Sequence, residues 1–178
     1  AWGLTVRDLV GLGRLPFGSL QKNDMHVEAA IIKMELSAFS DRIATQLSGG
    51  EQARVLIARA LAQDTSILMA DEPTASLDPA NQISTLKTFS ELAKAGKGII
   101  ASIHDLGLAA RYCTKLALLD RGKLVAFGPA DAVLTPINLR TVFSIEAHYK
   151  KTKQGVIFKP LSVLKHSSKI LTHGDTLI

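Results

Sequence analysis

Three short stretches hold residue types that, in their order and spacing, can handle phosphate: LSGGEQ (47–52), ILMADEP (67–73) and SIHD (102–105). In the first, Ser48, Gly49 and Gly50 open a helical run, where exposed backbone amides and the helix dipole favour an anion. The same residues have a purely structural use. Ser48 and Glu51 stand at S-x-x-E spacing, a capping box in which each side chain satisfies a backbone amide of the helix start. The two uses are compatible. In the second stretch, Asp71 and Glu72 follow a short apolar run directly. Adjacent carboxylates at a strand end can divide the labour: one holds magnesium through its water shell, and the next orients or deprotonates a water. Asp-Glu-Pro is equally an ordinary acidic helix start. In the third, His104 follows another apolar run, where an imidazole can donate to a phosphoryl oxygen or fix a water, or simply be solvated. His26, His148, His166 and His173 have no metal-ligand spacing.

A phosphate cradle usually includes a lysine, as in G-x-x-x-x-G-K-[ST]. That pattern occurs nowhere in the 178 residues. The glycine pair therefore raises the question of whose phosphate it would hold.

The elements that must carry these residues can be read from periodicity. After two candidate N-caps, Asn23 and Asp24, the residues Val27, Ala30, Ile31 and Met34 recur at helical spacing, giving an amphipathic helix whose stripe suits core packing. The run EQARVLIARALA predicts a second helix behind the glycines. SILMA (66–70) and GIIASI (98–103) read as short strands ending at the carboxylates and at the histidine. Between them, Asn81 to Ala95 reads as a helix with Ile83, Leu86 and Phe89 on one face. DLGLAARYC is helical, KLALL is a third strand, and the turn DRGK leads into LVAF as a hairpin. Thr135 and Pro136 form an N-cap and first-turn pair for a last helix, INLRTVFSI. Strands lacking polar alternation and separated by helices predict an α/β fold with a parallel sheet covered on both faces. Residues 1–22 show only short apolar runs broken by glycine and proline, and beyond Tyr149 the pattern weakens.

Composition narrows the class. Hydrophobic residues make up 47% and charged residues 21%, ordinary for a globular chain, and aromatics at 5% imply an aliphatic core. The net charge of +5 draws on Lys150, Lys151, Lys153, Lys159, Lys165 and Lys169, which are spaced along the C-terminal region rather than massed. Cys113 is the only cysteine, which excludes an internal disulfide and any zinc cluster built on cysteine pairs. No apolar run reaches the roughly 18–20 residues of a membrane span. The opening AWGLTV, without a methionine, leads to the expectation that the native protein extends upstream.

Taken in order, the motifs resemble those of the ATP-binding subunits of ABC transporters: LSGGE the signature, ILMADEP the Walker B strand, ASLD the D-loop and SIHD the switch histidine. The likeness runs from about Leu4 to Tyr149. It implies a partial P-loop NTPase domain, with residues 1–149 an incomplete ATP-binding domain and 150–178 a basic tail of no assigned fold. Within the domain, about 1–60 would be the helical signature subdomain and 61–149 the catalytic-core half. The stretches LTVRDLVGLGRLPF, DLGLAARYC and GKLVAFGPADAVLTPINLRTVFSIEAHY are similar to those of importers for iron-siderophores, haem or cobalamin.

The resemblance also implies roles. Two such subunits close head to tail on ATP, so Ser48, Gly49 and Gly50 would face the γ-phosphate of ATP held by the opposite subunit, with Glu51 close to the ribose. Asp71 would serve magnesium, Glu72 would polarise the hydrolytic water, His104 would contact the γ-phosphate, and Asp78 would couple the sites across the dimer. The implied cofactors are ATP and Mg2+. The implied partners are a second ATP-binding subunit, an integral membrane permease and, indirectly, a periplasmic binding protein, with no nucleic acid. The implied location is the cytoplasmic face of the inner membrane, peripherally bound. The sequence departs from the family in lacking Walker A and the glutamine loop, for which Gln46 is no substitute, and in carrying Ala53 where glutamine is common, while Arg54 is retained. These departures predict that the chain alone binds ATP poorly, hydrolyses none and exposes apolar sheet surface. Two other classes fit part of the pattern: an ABC-type ATPase acting on nucleic acid or ribosomes, and a truncated remnant without activity.

Overall fold

The computed structural model describes residues 3–18, 24–75, 77–152 and 155–164, in two compact units divided between Tyr112 and Cys113. Asn23, Ser76, Lys153, Lys165, Lys169, His166 and His173 lie outside the described residues.

The first unit begins with α1 (Val6–Gly11), which Thr5 and Asp8 start with a reciprocal capping box. A 3-10 segment, Leu12–Phe17, follows and ends at Gly18, whose φ of 71° requires glycine. Sequence periodicity missed both elements, because Gly11, Gly13 and Pro16 interrupt the apolar spacing. Gly13 has a packing reason: a Cβ there would lie 2.2 Å from the carbonyl oxygen of Arg59. The segment therefore approaches α3 (Gly49–Ala62) at backbone distance.

Helix α2 (Met25–Lys33) starts at Asp24, whose side chain accepts from the His26 amide at 2.8 Å. Its predicted stripe, Val27, Ala30, Ile31 and Met34, is buried throughout and packs with Val6 and Val10 of α1 and Val55 and Ala58 of α3. Burying each of the valine, isoleucine and methionine side chains contributes on the order of 1.5–3 kcal/mol. Arg14 reaches into this unit, donating to the Asp24 carboxylate and to the Ala62 carbonyl, both at 3.1 Å.

Strand β1 (Ile67–Ala70) pairs in parallel with β2 (Gly98–Ala101), in the register Ile67↔Gly98 to Ala70↔Ala101. Parallel neighbours need a crossover, and α4 (Pro79–Lys94) supplies it, with Asp78 as N-cap and Pro79 in the first turn. Leu86 and Phe89 of α4 are buried against Leu68, whereas Ile83, expected on the same face, is 45% exposed. Helix α5 (Leu106–Tyr112) closes the unit.

The second unit holds β3 (Leu116–Asp120) and β4 (Lys123–Gly128), an antiparallel hairpin. Its two-residue turn, Arg121 and Gly122, has φ values of 48° and 77°, as a type I′ connection demands. After α6 (Ala130–Val133), α7 (Pro136–Phe143) is capped by Thr135 with Pro136 in its first turn, as predicted. The chain then forms a second hairpin, β5 (Ile145–Thr152) and β6 (Gly155–Val163), so the first part of the region left without a fold is β-structure.

The α/β fold with a parallel strand pair is as expected, but the extent of the sheet and its coverage on both faces need correction. Among the described residues, only β1 and β2 pair in parallel, and β3 pairs with β4 alone. The β1–β2 sheet is not covered on both faces either, since Ile67, Met69 and Ile100 are 56%, 74% and 56% exposed. Successive strand residues point to opposite faces. The face carrying Leu68 meets the helices, and the one carrying these three residues meets solvent, the apolar sheet exposure expected from the departures from the family rather than from the strand pattern.

Candidate functional site

The C-terminal ends of β1 and β2 bring Asp71, Glu72 and His104 together, because the parallel register places Ala70 beside Ala101. Neither carboxylate starts a helix: residues 71–75 form a turn, with the Ala75 amide bonded to the Glu72 carbonyl at 3.1 Å, and α4 begins only at Pro79. The reading of Asp-Glu-Pro as an acidic helix start is thereby removed. Glu72 has a φ of 44°, in the left-handed region that non-glycine residues rarely adopt. From there its Oε1 lies 2.6 Å from His104 Nε2. This hydrogen bond, and secondarily the negative charges of Glu72 and Asp71, raise the imidazole pKa above its usual 6.5.

Ser102, which the sequence reading did not single out, joins the group. Its hydroxyl donates to Asp71 Oδ1 at 2.6 Å and accepts from the Glu72 amide at 2.7 Å. The available signal was its position, a serine at the end of an apolar run two residues before His104. Alongside, a cleft of about 270 Å³ runs between α3 and β1, lined by Leu56, Ala60, Met69 and Phe89 and ending at Asp71 and Glu72.

At the start of α3 the capping box is complete. Ser48 Oγ accepts from the Glu51 amide at 3.3 Å, and Glu51 Oε2 accepts from the Ser48 amide at 2.8 Å. The Ser48 hydroxyl also donates to Glu51 Oε2 at 2.8 Å, and this bond, then the one from the Ser48 amide, holds the Glu51 carboxyl below its ordinary value. Packing does not explain the glycine pair. A Cβ on Gly49 would meet nothing within 4 Å, and one on Gly50 would make only ordinary contact, 3.7 Å from Leu77 and Asn81. The same contacts place the start of α3 beside that of α4. There Asp78 accepts from the Asn81 amide at 3.0 Å and from its side-chain amide at 2.5 Å, which holds the Asp78 carboxyl below its ordinary value. Ser48, Gly49, Gly50, Glu51 and Asp78 thus form one group at two helix N-termini, and Asp71, Glu72 and His104 a second at two strand ends.

Among the described residues no set of three or more His, Cys, Asp or Glu is arranged to hold a metal ion by itself. One carboxylate at a strand end suits magnesium that arrives with phosphate ligands and keeps several waters. The donor set of Asp71 fits that mode of binding.

The strand-end carboxylates with a histidine opposite, and the capped glycine pair opening a helix, are carried on the P-loop NTPase fold of ABC ATP-binding cassettes. Residues 3–75 match the ABC transporter family model, and the chain is similar to ATP-binding proteins of that family. Over 157 residues it is 41% identical to the hemin import ATP-binding protein HmuV of Bordetella avium, covering 83% of this chain and 60% of that protein. Over 143 residues it is 43% identical to the cobalamin import ATP-binding protein BtuD of Halobacterium salinarum, covering 78% of this chain and 36% of that one. A solved metal-chelate type ABC transporter in an inward-facing conformation shares the fold at a TM-score of 0.78 and 27% identity, covering 90% of this chain and 68% of that one. The chain spans 60% or less of these two curated relatives. Among the described residues no helix is long and apolar enough to cross a membrane.

Proposed function

We propose that the chain is part of the ATP-binding subunit of an ABC importer that couples ATP hydrolysis to uptake of haem, cobalamin or an iron chelate. The observation that supports this best is the 2.6 Å contact of Glu72 with His104 beside Asp71, at two adjacent strand ends. In this reading Glu72 accepts a proton from, or orients, the attacking water, and His104 donates from its ring to the γ-phosphate. Asp71 holds magnesium, which when bound neutralises developing phosphate charge. The Ser48 hydroxyl and the amides of Gly49 and Gly50 receive the γ-phosphate of a nucleotide held by a second ATP-binding subunit, and Glu51 lies toward its ribose. Asp78, at the adjoining helix start, links the two nucleotide sites. The subunit docks on a membrane permease at the cytoplasmic face of the inner membrane, and a periplasmic binding protein delivers the cargo. The chain by itself, with no Walker A lysine in its 178 residues, turns over no ATP.

The test is complementation in trans. A related cassette with an intact Walker A lysine, but with its own signature serine replaced, is mixed with this chain and magnesium-ATP turnover is followed. Restored turnover that disappears with Ser48→Arg is the expected result. No restoration at any ratio of the two proteins rejects the reading, and turnover by this chain alone rejects its inactivity.

A further inference from the structure

One side chain in the strand-end cluster has no part in the chemistry assigned above. Ser102 is the first residue past β2, and its amide donates to the Ala70 carbonyl at 3.1 Å. This last rung of the ladder fixes where the side chain stands. A hydroxyl has one proton and two lone pairs. Here the proton goes to Asp71 Oδ1 at 2.6 Å, and a lone pair takes the Glu72 amide at 2.7 Å. One oxygen atom therefore joins the side chain of one carboxylate residue to the backbone of the next. The Glu72 backbone is the strained part of the loop, with a φ of 44°. A conformation of that kind persists where surrounding contacts over-determine it. The hydrogen bond to Ser102 is such a contact, and it acts at the residue whose carboxylate meets His104.

We propose that Ser102 is a positioning residue, whose hydroxyl locks the Glu72 backbone in the left-handed conformation that brings its carboxylate to His104 while it orients the carboxylate of Asp71. The functional meaning of that lock rests on the ATPase reading; the lock itself does not. Threonine would keep the hydroxyl and suits a strand end. Valine, nearly the same shape as threonine, would not. The Glu72 amide would then have no acceptor on residue 102.

The experiment is NMR of the 178-residue chain without nucleotide, comparing Ser102→Thr, Ser102→Val and Ser102→Ala. Hydrogen exchange of the Glu72 amide is expected to accelerate about tenfold in the valine and alanine variants, the loss of one hydrogen bond. The Cα and Cβ shifts that mark a positive φ at Glu72 are expected to vanish with it. Ser102→Thr is expected to retain both, and cross-strand signals of the β1–β2 ladder verify that each variant is folded. Unchanged Glu72 signals in Ser102→Val, or no rescue by Ser102→Thr, would overturn the proposal. Complementation by the unaltered chain reports on the ATPase reading separately.

Discussion

Glu72 Oε1 and His104 Nε2 meet at 2.6 Å although 32 residues separate them in the chain. The parallel pairing of β1 with β2 makes that meeting possible, and α4 is the crossover that lets the strands lie side by side. A residue just past one strand end then faces a residue just past the other. This is the usual location of ligand sites in open parallel sheets. The contact is also an electrostatic device, since it favours the charged imidazole.

The pH dependence of that contact has a definite sign. The folded pKa of His104 lies above 6.5, so the interaction is fully present below pH 6.5 and is lost as pH rises through the folded value. NMR titration of the His104 ring should give a midpoint above 6.5 in the unaltered chain, and one close to 6.5 in Glu72→Gln. Equal midpoints in the two proteins would rule out Glu72 as the cause.

The capping box allows the structural and phosphate-binding uses of Ser48 to be separated. Ser48→Ala removes the cap and should cost about 1 kcal/mol of stability. Ser48→Asp supplies an equally good N-cap, yet places negative charge where a γ-phosphate would sit. Chemical denaturation should therefore show a near-normal midpoint for Ser48→Asp and a lowered one for Ser48→Ala, while complementation in trans is lost with Ser48→Asp. Full complementation by Ser48→Asp would mean that Ser48 only caps the helix.

Two glycines should respond to the same substitution in opposite ways. At Gly13 a Cβ would meet the Arg59 carbonyl at 2.2 Å, and a backbone atom of α3 cannot swing aside as a long side chain would. Gly13→Ala should lose roughly 1–3 kcal/mol. At Gly50 the nearest atoms are 3.7 Å away and the backbone is already helical, so Gly50→Ala should be neutral or slightly stabilising. If Gly50→Ala nevertheless abolishes complementation, the need for glycine lies with a ligand. Equal melting shifts for the two variants would contradict this account.

Legibility in the sequence followed the range of the interactions. The capping box at Ser48, the stripe from Val27 to Met34, the turn at Arg121 and Gly122, and the Thr135–Pro136 helix start all depend on residues within a few positions of one another. Each could be read directly. The 3-10 segment around Gly13 depends on α3, and its fit against Arg59 has no local pattern. The β5–β6 hairpin carries Pro160 and several lysines, which depress strand propensity, and cross-strand pairs such as Tyr149↔Phe158 form it. Ser102 was missed for the same reason, since its two partners are 31 and 30 residues away. Asp71, Glu72 and His104 could be singled out because they stand at the ends of apolar runs, but their mutual contact required the parallel register.

The solvent-facing side of the β1–β2 sheet leads to a prediction about the isolated chain. Ile67, Met69 and Ile100 expose an apolar surface on two short neighbouring strands, and such surfaces promote association. The purified chain should bind an apolar dye and self-associate as its concentration rises, by light scattering. Met69→Lys places a charge at the most exposed of the three positions, where 74% of the residue is accessible. It removes none of the buried packing around Leu68, so stability should change by about 0.5 kcal/mol or less. Dye binding and scattering should both fall in Met69→Lys, whereas Leu68→Lys, on the buried face, should unfold the unit. If Met69→Lys leaves association unchanged, the contact between copies lies elsewhere on the chain and the sheet face is not its origin.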